Sequence, residues 1–204
     1  MAGAVLFAVG EVDQHIQKIK ERSMAQELGK TMGAIISAEQ LDFLNKSIEQ
    51  ALKDGADLVL DGRNPTAPKG MEEGFWLGPT ILDNVKAGSF PATVELFGPV
   101  LSIIRCQNIS EAIEIQNSSP YGNAASVFTS SGPMAEYVAS NTECGMFGVN
   151  IGVPVPREPF SFGGVKASKF GHGDITGDHS LGFWSDVKKI TTKWEMQTDA
   201  NWMS

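Results

Sequence analysis

The residues best placed to do chemistry lie in Thr93-Val94-Glu95-Leu96-Phe97-Gly98-Pro99-Val100. A carboxylate, Glu95, and an aromatic ring, Phe97, stand two residues apart. A Gly-Pro turn follows, and then the apolar run Leu101-Ser102-Ile103-Ile104-Arg105-Cys106, which reads as a buried strand. Such an arrangement can hold a polar group and a flat ring at the mouth of a sheet, where α/β proteins bind ligands. The competing reading is a surface Glu and a core Phe in an ordinary loop, since short motifs also match by chance.

Other reactive residue types are sparse. No Gly-x-Gly-x-x-Gly follows a strand: Gly171-His172-Gly173-Asp174 does not follow one, and its spacing to Gly177 is wrong. His15, His172 and His179 lack metal-ligand spacing, so no metal is expected; His15 reads as a solvated helix residue and the other two as loop residues. Cys106 and Cys144 have no neighbouring His and no Gly-rich surround to lower their pKa, and read as buried thiols rather than nucleophiles. A Gly-x-Ser-x-Gly elbow is absent from the sequence.

The elements that must position these residues follow from patterning. Val5 to Val9 lies in a continuous apolar run that reads as a buried strand. An amphipathic helix is expected over 12–28, with Ile16, Ile19 and Met24 inward. Ser37 is a good N-cap for the next helix, with Gln40 as its reciprocal partner and Leu41, Leu44, Ile48 and Leu52 on the apolar face; Gly55 ends it. Short strands are expected at 56–60, 75–77 and 80–82, and the central strand at 101–106. Ser110 caps a helix to about Asn117. Then come a strand at 124–129, a helix from Ser131 or Gly132 to Asn141, and a strand at 146–149. Residues 151–177 form a long Gly- and Pro-rich loop that Phe160, Phe162 and Phe170 should order. Asp186 to Trp194 reads as a Lys-rich strand suited to an edge or to pairing outside its own domain. Strands alternating with helices imply an α/β layer fold with a largely parallel sheet.

Composition bounds the function. The 204 residues carry a formal net charge of −8, which argues against a nucleic-acid partner. No apolar run reaches the roughly 20 residues needed to span a bilayer, so no membrane partner is expected. Two cysteines are too few for a disulfide framework, and a cytoplasmic location is the expectation.

Glu95-Leu96-Phe97-Gly98-Pro99-Val100 resembles the E-x-F-G-P-V signature of the aldehyde dehydrogenase superfamily. Four further stretches are similar to that family in order and spacing: Gly74-Phe75-Trp76-Leu77-Gly78-Pro79-Thr80-Ile81-Leu82, Tyr121-Gly122-Asn123-Ala124-Ala125-Ser126-Val127-Phe128-Thr129, Gly145-Met146-Phe147-Gly148-Val149-Asn150, and Phe160-Ser161-Phe162-Gly163-Gly164-Val165-Lys166-Ala167-Ser168. The run from Val149 to Pro156, with Phe160-Ser161-Phe162, resembles the CoA-acylating methylmalonate-semialdehyde dehydrogenase branch. Arg157-Glu158 departs from that branch's apolar residue, and Val94-Glu95 from the family's usual acidic pair.

The resemblance implies a three-layer open, largely parallel sheet of the aldehyde dehydrogenase catalytic-domain type, with a C-terminal oligomerisation strand. It divides the chain into a catalytic-domain part at 1–183, an oligomerisation strand at 184–196 and a polar tail at 197–204. It implies NAD as cofactor, a small-molecule aldehyde as substrate, CoA as one acyl acceptor, and a homo-oligomer joined through Asp186 to Trp194. Glu95 would accept hydrogen bonds from the nicotinamide-ribose hydroxyls, and Phe97 would pack near the nicotinamide. Ile151, Arg157, Phe160 and Phe162 would line the substrate funnel. Arg157 would meet a carboxylate or phosphate on the aldehyde; the alternative is an exposed Arg paired with Glu158. The nucleophilic Cys would sit one position before Met1, so this chain alone should be inactive. The alternative function is a non-catalytic fragment that self-associates or docks on a partner.

Overall fold

Strands β1 (Val5–Val9), β2 (Asp57–Leu60), β3 (Thr80–Asp83) and β4 (Val100–Cys106) form one sheet in the order β1-β4-β3-β2. The computed structural model describes residues 3–171 and 173–194. β4 is central, as its apolar run predicts, and is parallel to both neighbours: Val5 pairs with Ser102 through Val9 with Cys106, and Thr80 with Val100 through Leu82 with Ser102. β2 runs antiparallel to β3 with a register shift between Leu58 and Leu60.

The pleat of β4 sends alternate side chains to two helical layers. On one face, Ile103 of β4 packs with Ala8, Ile81 and Ile16 of α1 (Asp13–Met24). On the other, Val100, Ile104 and Cys106 pack with Leu44, Ile48 and Ala51 of α2 (Ala38–Lys53). Leu44 and Ile48 are fully buried, each stabilising the fold by about 1.5–3 kcal/mol. These are the three layers expected of the fold class.

Several elements differ from their sequence reading. β1 was expected to be buried, but only Ala8 is, because β1 is the edge of the described sheet. α1 stops at Met24, which points outward, and 75–77 forms no strand: Ile35 N–H donates to Phe75 C=O in a lone bridge. After the single turn α3 (Phe90–Thr93), helix α4 (Ile109–Ser118) is capped by Asn108 rather than Ser110. Asn108 Oδ1 accepts from Glu111 N–H at 3.0 Å and Glu111 Oε2 accepts from Gln107 N–H at 2.7 Å. Asn108, two residues before Ser110, has the extended backbone of an N-cap, whereas Ser110 is already inside the helix.

The rest of this unit holds β5 (Tyr121–Gly122), β6 (Ala124–Val127), α5 (Gly132–Asn141), β7 (Met146–Val149) and β8 (Val165–Lys166). β6 pairs parallel with β7, and β5 antiparallel with β8. Ser131 caps α5, accepting from Met134 N–H. Asn150, at φ +56°, exchanges two side-chain hydrogen bonds of 3.0 Å with the backbone of Thr129 and so closes the ends of β6 and β7.

The chain divides into two units. The one just described runs to Val155 and includes Gly163–Lys169; the other comprises Pro156–Phe162 and the residues from Phe170 onward. In the second unit, Ser161 Oγ donates to Thr176 C=O at 2.9 Å, Phe162 N–H donates to Thr176 Oγ1, and Asp178 N–H donates to Pro159 C=O. A 3₁₀ turn at Gly177–His179 leads into α6 (Ser180–Phe183). The loop is ordered by these polar contacts and not by its Phe residues, which are exposed. The Asp186 to Trp194 segment has no regular structure in the isolated chain. Its expected extension to 196 and the tail at 197–204 lie outside the described residues, as do Met1 and His172.

Candidate functional site

The approach to β4 is held at four points. Ser102 Oγ, buried in β4, donates to Pro91 C=O at 3.0 Å and ties down α3. Leu96 buries its side chain in the core beneath α2, and its carbonyl accepts from Gln40 Nε2 at 2.7 Å. Gly98 packs so closely on α2 that an added Cβ would lie 2.5 Å from Leu44 Cδ1. Pro99 C=O accepts from Thr80 N–H at 2.8 Å, which joins the turn to β3.

With Leu96 turned inward, its neighbours Glu95 and Phe97 face solvent. Phe97 is 80% exposed and has φ +55°. A bulky aromatic in the left-handed region is strained, and such strain collects at ligand clamps. An exposed ring contributes little to the core, so neither burial nor backbone preference accounts for Phe97. Phe97 is therefore not a core residue.

The location corrects one expectation. Ligands of open α/β sheets gather outside the carboxyl ends of strands, but Glu95 and Phe97 precede β4 and stand at its amino end, beside the amino ends of β1 and β3. A shallow concavity of about 430 Å³ lies along this edge, lined by Gly3, Arg22, Gln26, Thr80, Gly98 and Pro99. Sequence reasoning missed Arg22, Gln26 and Gln40. Gln40 was visible only as a capping residue, whereas its amide spans 56 positions to Leu96.

The remaining expected site residues are described within their own units. Ile151 is exposed just after β7 in the first unit. Arg157, Phe160 and Phe162 belong to the second, all exposed, with Phe160 N–H donating to Arg157 C=O at 3.0 Å. Among the described residues Arg157 makes no ion pair with Glu158.

Neither cysteine is poised as a nucleophile. Burial pushes the Cys106 thiol up, with the Glu111 charge adding to it. Burial also pushes the Cys144 thiol up, against the smaller opposing effect of the Ala125 and Met146 backbone. Both are held as neutral thiols at pH 7. Among the described residues no group of His, Cys, Asp and Glu could hold a metal ion, and no helix is long and apolar enough to cross a membrane. A carboxylate can accept hydrogen bonds from hydroxyl groups, and an exposed ring can stack on a flat heterocycle.

The fold and this surface define an α/β protein that presents a carboxylate and an aromatic ring at the amino edge of a mixed, helix-covered sheet. The family model described as the aldehyde dehydrogenase family matches residues 1–190, and the chain belongs to that family. It is 37% identical over 207 residues to the probable methylmalonate-semialdehyde/malonate-semialdehyde dehydrogenase (acylating, mitochondrial) of Drosophila pseudoobscura pseudoobscura, an alignment covering 98% of this chain and 39% of that protein. The crystal structure of methylmalonate-semialdehyde dehydrogenase from Oceanimonas doudoroffii superposes with a TM-score of 0.88 at 32% identity, covering 95% of this chain and 41% of that one. The Mycobacterium tuberculosis aldehyde dehydrogenase complexed with NAD+ superposes with a TM-score of 0.77 at 29% identity, covering 87% of this chain and 37% of that one. The chain thus spans about two fifths of the length of the relatives it matches.

Proposed function

We propose that this chain is the C-terminal part of an NAD-dependent aldehyde dehydrogenase that oxidises a small semialdehyde to an acid or acyl-CoA through a cysteine thioester. The observation that carries the proposal is the strained, outward presentation of Phe97 two residues from the exposed Glu95. Bound NAD supplies the hydride acceptor. Glu95 accepts hydrogen bonds from the two nicotinamide-ribose hydroxyls, and Phe97 limits the positions of the ring. Their contribution is orientation, where small displacements cost large factors in rate.

Neither Cys106 nor Cys144, whose thiols burial pushes up, is assigned as the reactive cysteine. Water or CoA then resolves the thioester; the "acylating" in the name of the Drosophila relative supports CoA. Within the second unit, Phe160 and Phe162 line the substrate funnel, and Arg157 meets the acid group of the semialdehyde. Residues 1–183 act as the catalytic-domain part and 184–196 as the oligomerisation strand, in a cytoplasmic homo-oligomer.

Two measurements test the reading. Saturation-transfer NMR on the 204-residue chain should carry magnetisation from the Phe97 ring to nicotinamide protons, and Phe97→Ala and Glu95→Ala should each reduce it severalfold. Purified chain given semialdehyde and NAD should form no NADH. Absent transfer in the wild type, or turnover approaching the roughly 1–1000 per second of ordinary enzymes, would overturn it.

A further inference from the structure

The carbonyl of Leu96 and the amide of Phe97 belong to one peptide plane. That plane sets the φ of Phe97, which is +55° where an L residue is disfavoured. The donor on its carbonyl is Gln40 Nε2, at 2.7 Å, from the first turn of α2. The cap orients that turn: Ser37 Oγ accepts from Gln40 N–H at 3.2 Å, leaving the Gln40 amide free to reach across. On either side of the plane, Leu96 is sunk in the core and Gly98 sits against Leu44. Rotation of that peptide would change ψ of Leu96 and φ of Phe97 together, and with them the direction in which the Phe97 ring leaves the backbone.

We infer that Gln40 is a positioning residue: its amide holds the Leu96–Phe97 peptide in the orientation that keeps Phe97 at its left-handed φ, two residues from the exposed Glu95. The contact couples the start of α2 to the ligand-facing segment without Gln40 itself entering the reaction. Its functional weight rests on the reading of Glu95 and Phe97 as NAD contacts, and the two claims are separable by measurement.

The test uses the 204-residue chain and the intraresidue HN–Hα NOE of Phe97, which is strong only at a left-handed φ. Gln40→Met keeps side-chain length and helix propensity while removing the donor. The Phe97 NOE should fall severalfold, with the NOEs of α2 and β4 unchanged. Gln40→Glu adds a signature that a merely structural role would not show. At pH 7 its carboxylate cannot donate, so the NOE should match Gln40→Met. Below about pH 4 the protonated carboxyl donates, and the NOE should return toward that of wild type at the same pH. An unchanged NOE in Gln40→Met, changes spread equally through α2 and β4, or no pH dependence in Gln40→Glu would each overturn the inference. The NAD reading is read separately from saturation transfer. If the wild type shows none while the NOE results hold, the cofactor assignment fails and the positioning of the segment stands.

Discussion

Arg105 grips Asp83 with two nitrogens: Nε lies 3.0 Å from Oδ1 and Nη2 lies 2.7 Å from Oδ2. The pair bridges the carboxyl ends of the neighbouring strands β4 and β3, and Arg105 Nη1 also reaches Asp13 of α1 at 2.6 Å. This ion network thus lies at the carboxyl end of the sheet, and Glu95 and Phe97 lie at the other end.

That network sets an acid limit on stability. Burial acts most strongly on the Asp83 carboxyl and would raise its pKa, but the Arg105 hydrogen bonds, the Asn84 N–H and the Arg105 charge together outweigh it and hold the group below its ordinary value. A carboxylate depressed in the folded state stabilises fully above the unfolded value, about 3.9, and that stability is lost as pH falls through the folded value. Asp83→Asn should therefore cost about 1–3 kcal/mol at pH 7, measured by urea unfolding. The gap from wild type should close as pH drops below about 4. A gap that stays constant with pH would show that the charge is not what stabilises.

A second prediction uses the strain at Phe97. Left-handed φ costs an L residue about 1–2 kcal/mol, while glycine's greater unfolded freedom costs about 0.5–1 kcal/mol. With the ring 80% exposed, little burial is lost on its removal. Phe97→Gly should raise stability by about 0.5–1 kcal/mol and Tm by a few degrees, while saturation transfer to nicotinamide disappears. A lower Tm would mean that the ring packs against something in solution and is not held outward.

How far these features could be read from sequence depends on the range of each interaction. β4 was legible because burial on both faces produces a continuous apolar run, and the Ser37 cap because its partner is three residues away. Asn108 was displaced by Ser110 in the reading because both are good caps two residues apart, and only backbone geometry separates them. The burial of β1 was misread because a run of apolar residues does not tell a central strand from an edge. Glu95 and Phe97 were legible as a motif, but their position at the amino edge depends on the parallel pairing of β1, β4 and β3. The Gln40–Leu96 contact was not legible, since local patterning offered Gln40 a nearer partner.

The last prediction concerns Asp186 to Trp194. Val187, Ile190 and Trp194 are 84%, 76% and 91% exposed, among Lys188, Lys189 and Lys193. Val, Ile and Thr favour extended backbone, yet the segment has no regular structure alone. Apolar β-formers left in solvent are what the proposed strand, with its ladder partner on another chain, would require. Charged neighbours keep such a strand soluble until it pairs. A second copy of this chain is the partner proposed here, and sedimentation of the wild type at micromolar concentration should show a species larger than the monomer. Trp194→Asp should weaken association by at least about 30-fold, the effect of a hot-spot truncation of about 2 kcal/mol, and Ile190→Asp should act in the same direction. Gln26→Ala, in the first unit, should leave it unchanged. A monomeric wild type would remove the self-association reading, because the exposed apolar residues would then need a different partner to explain them.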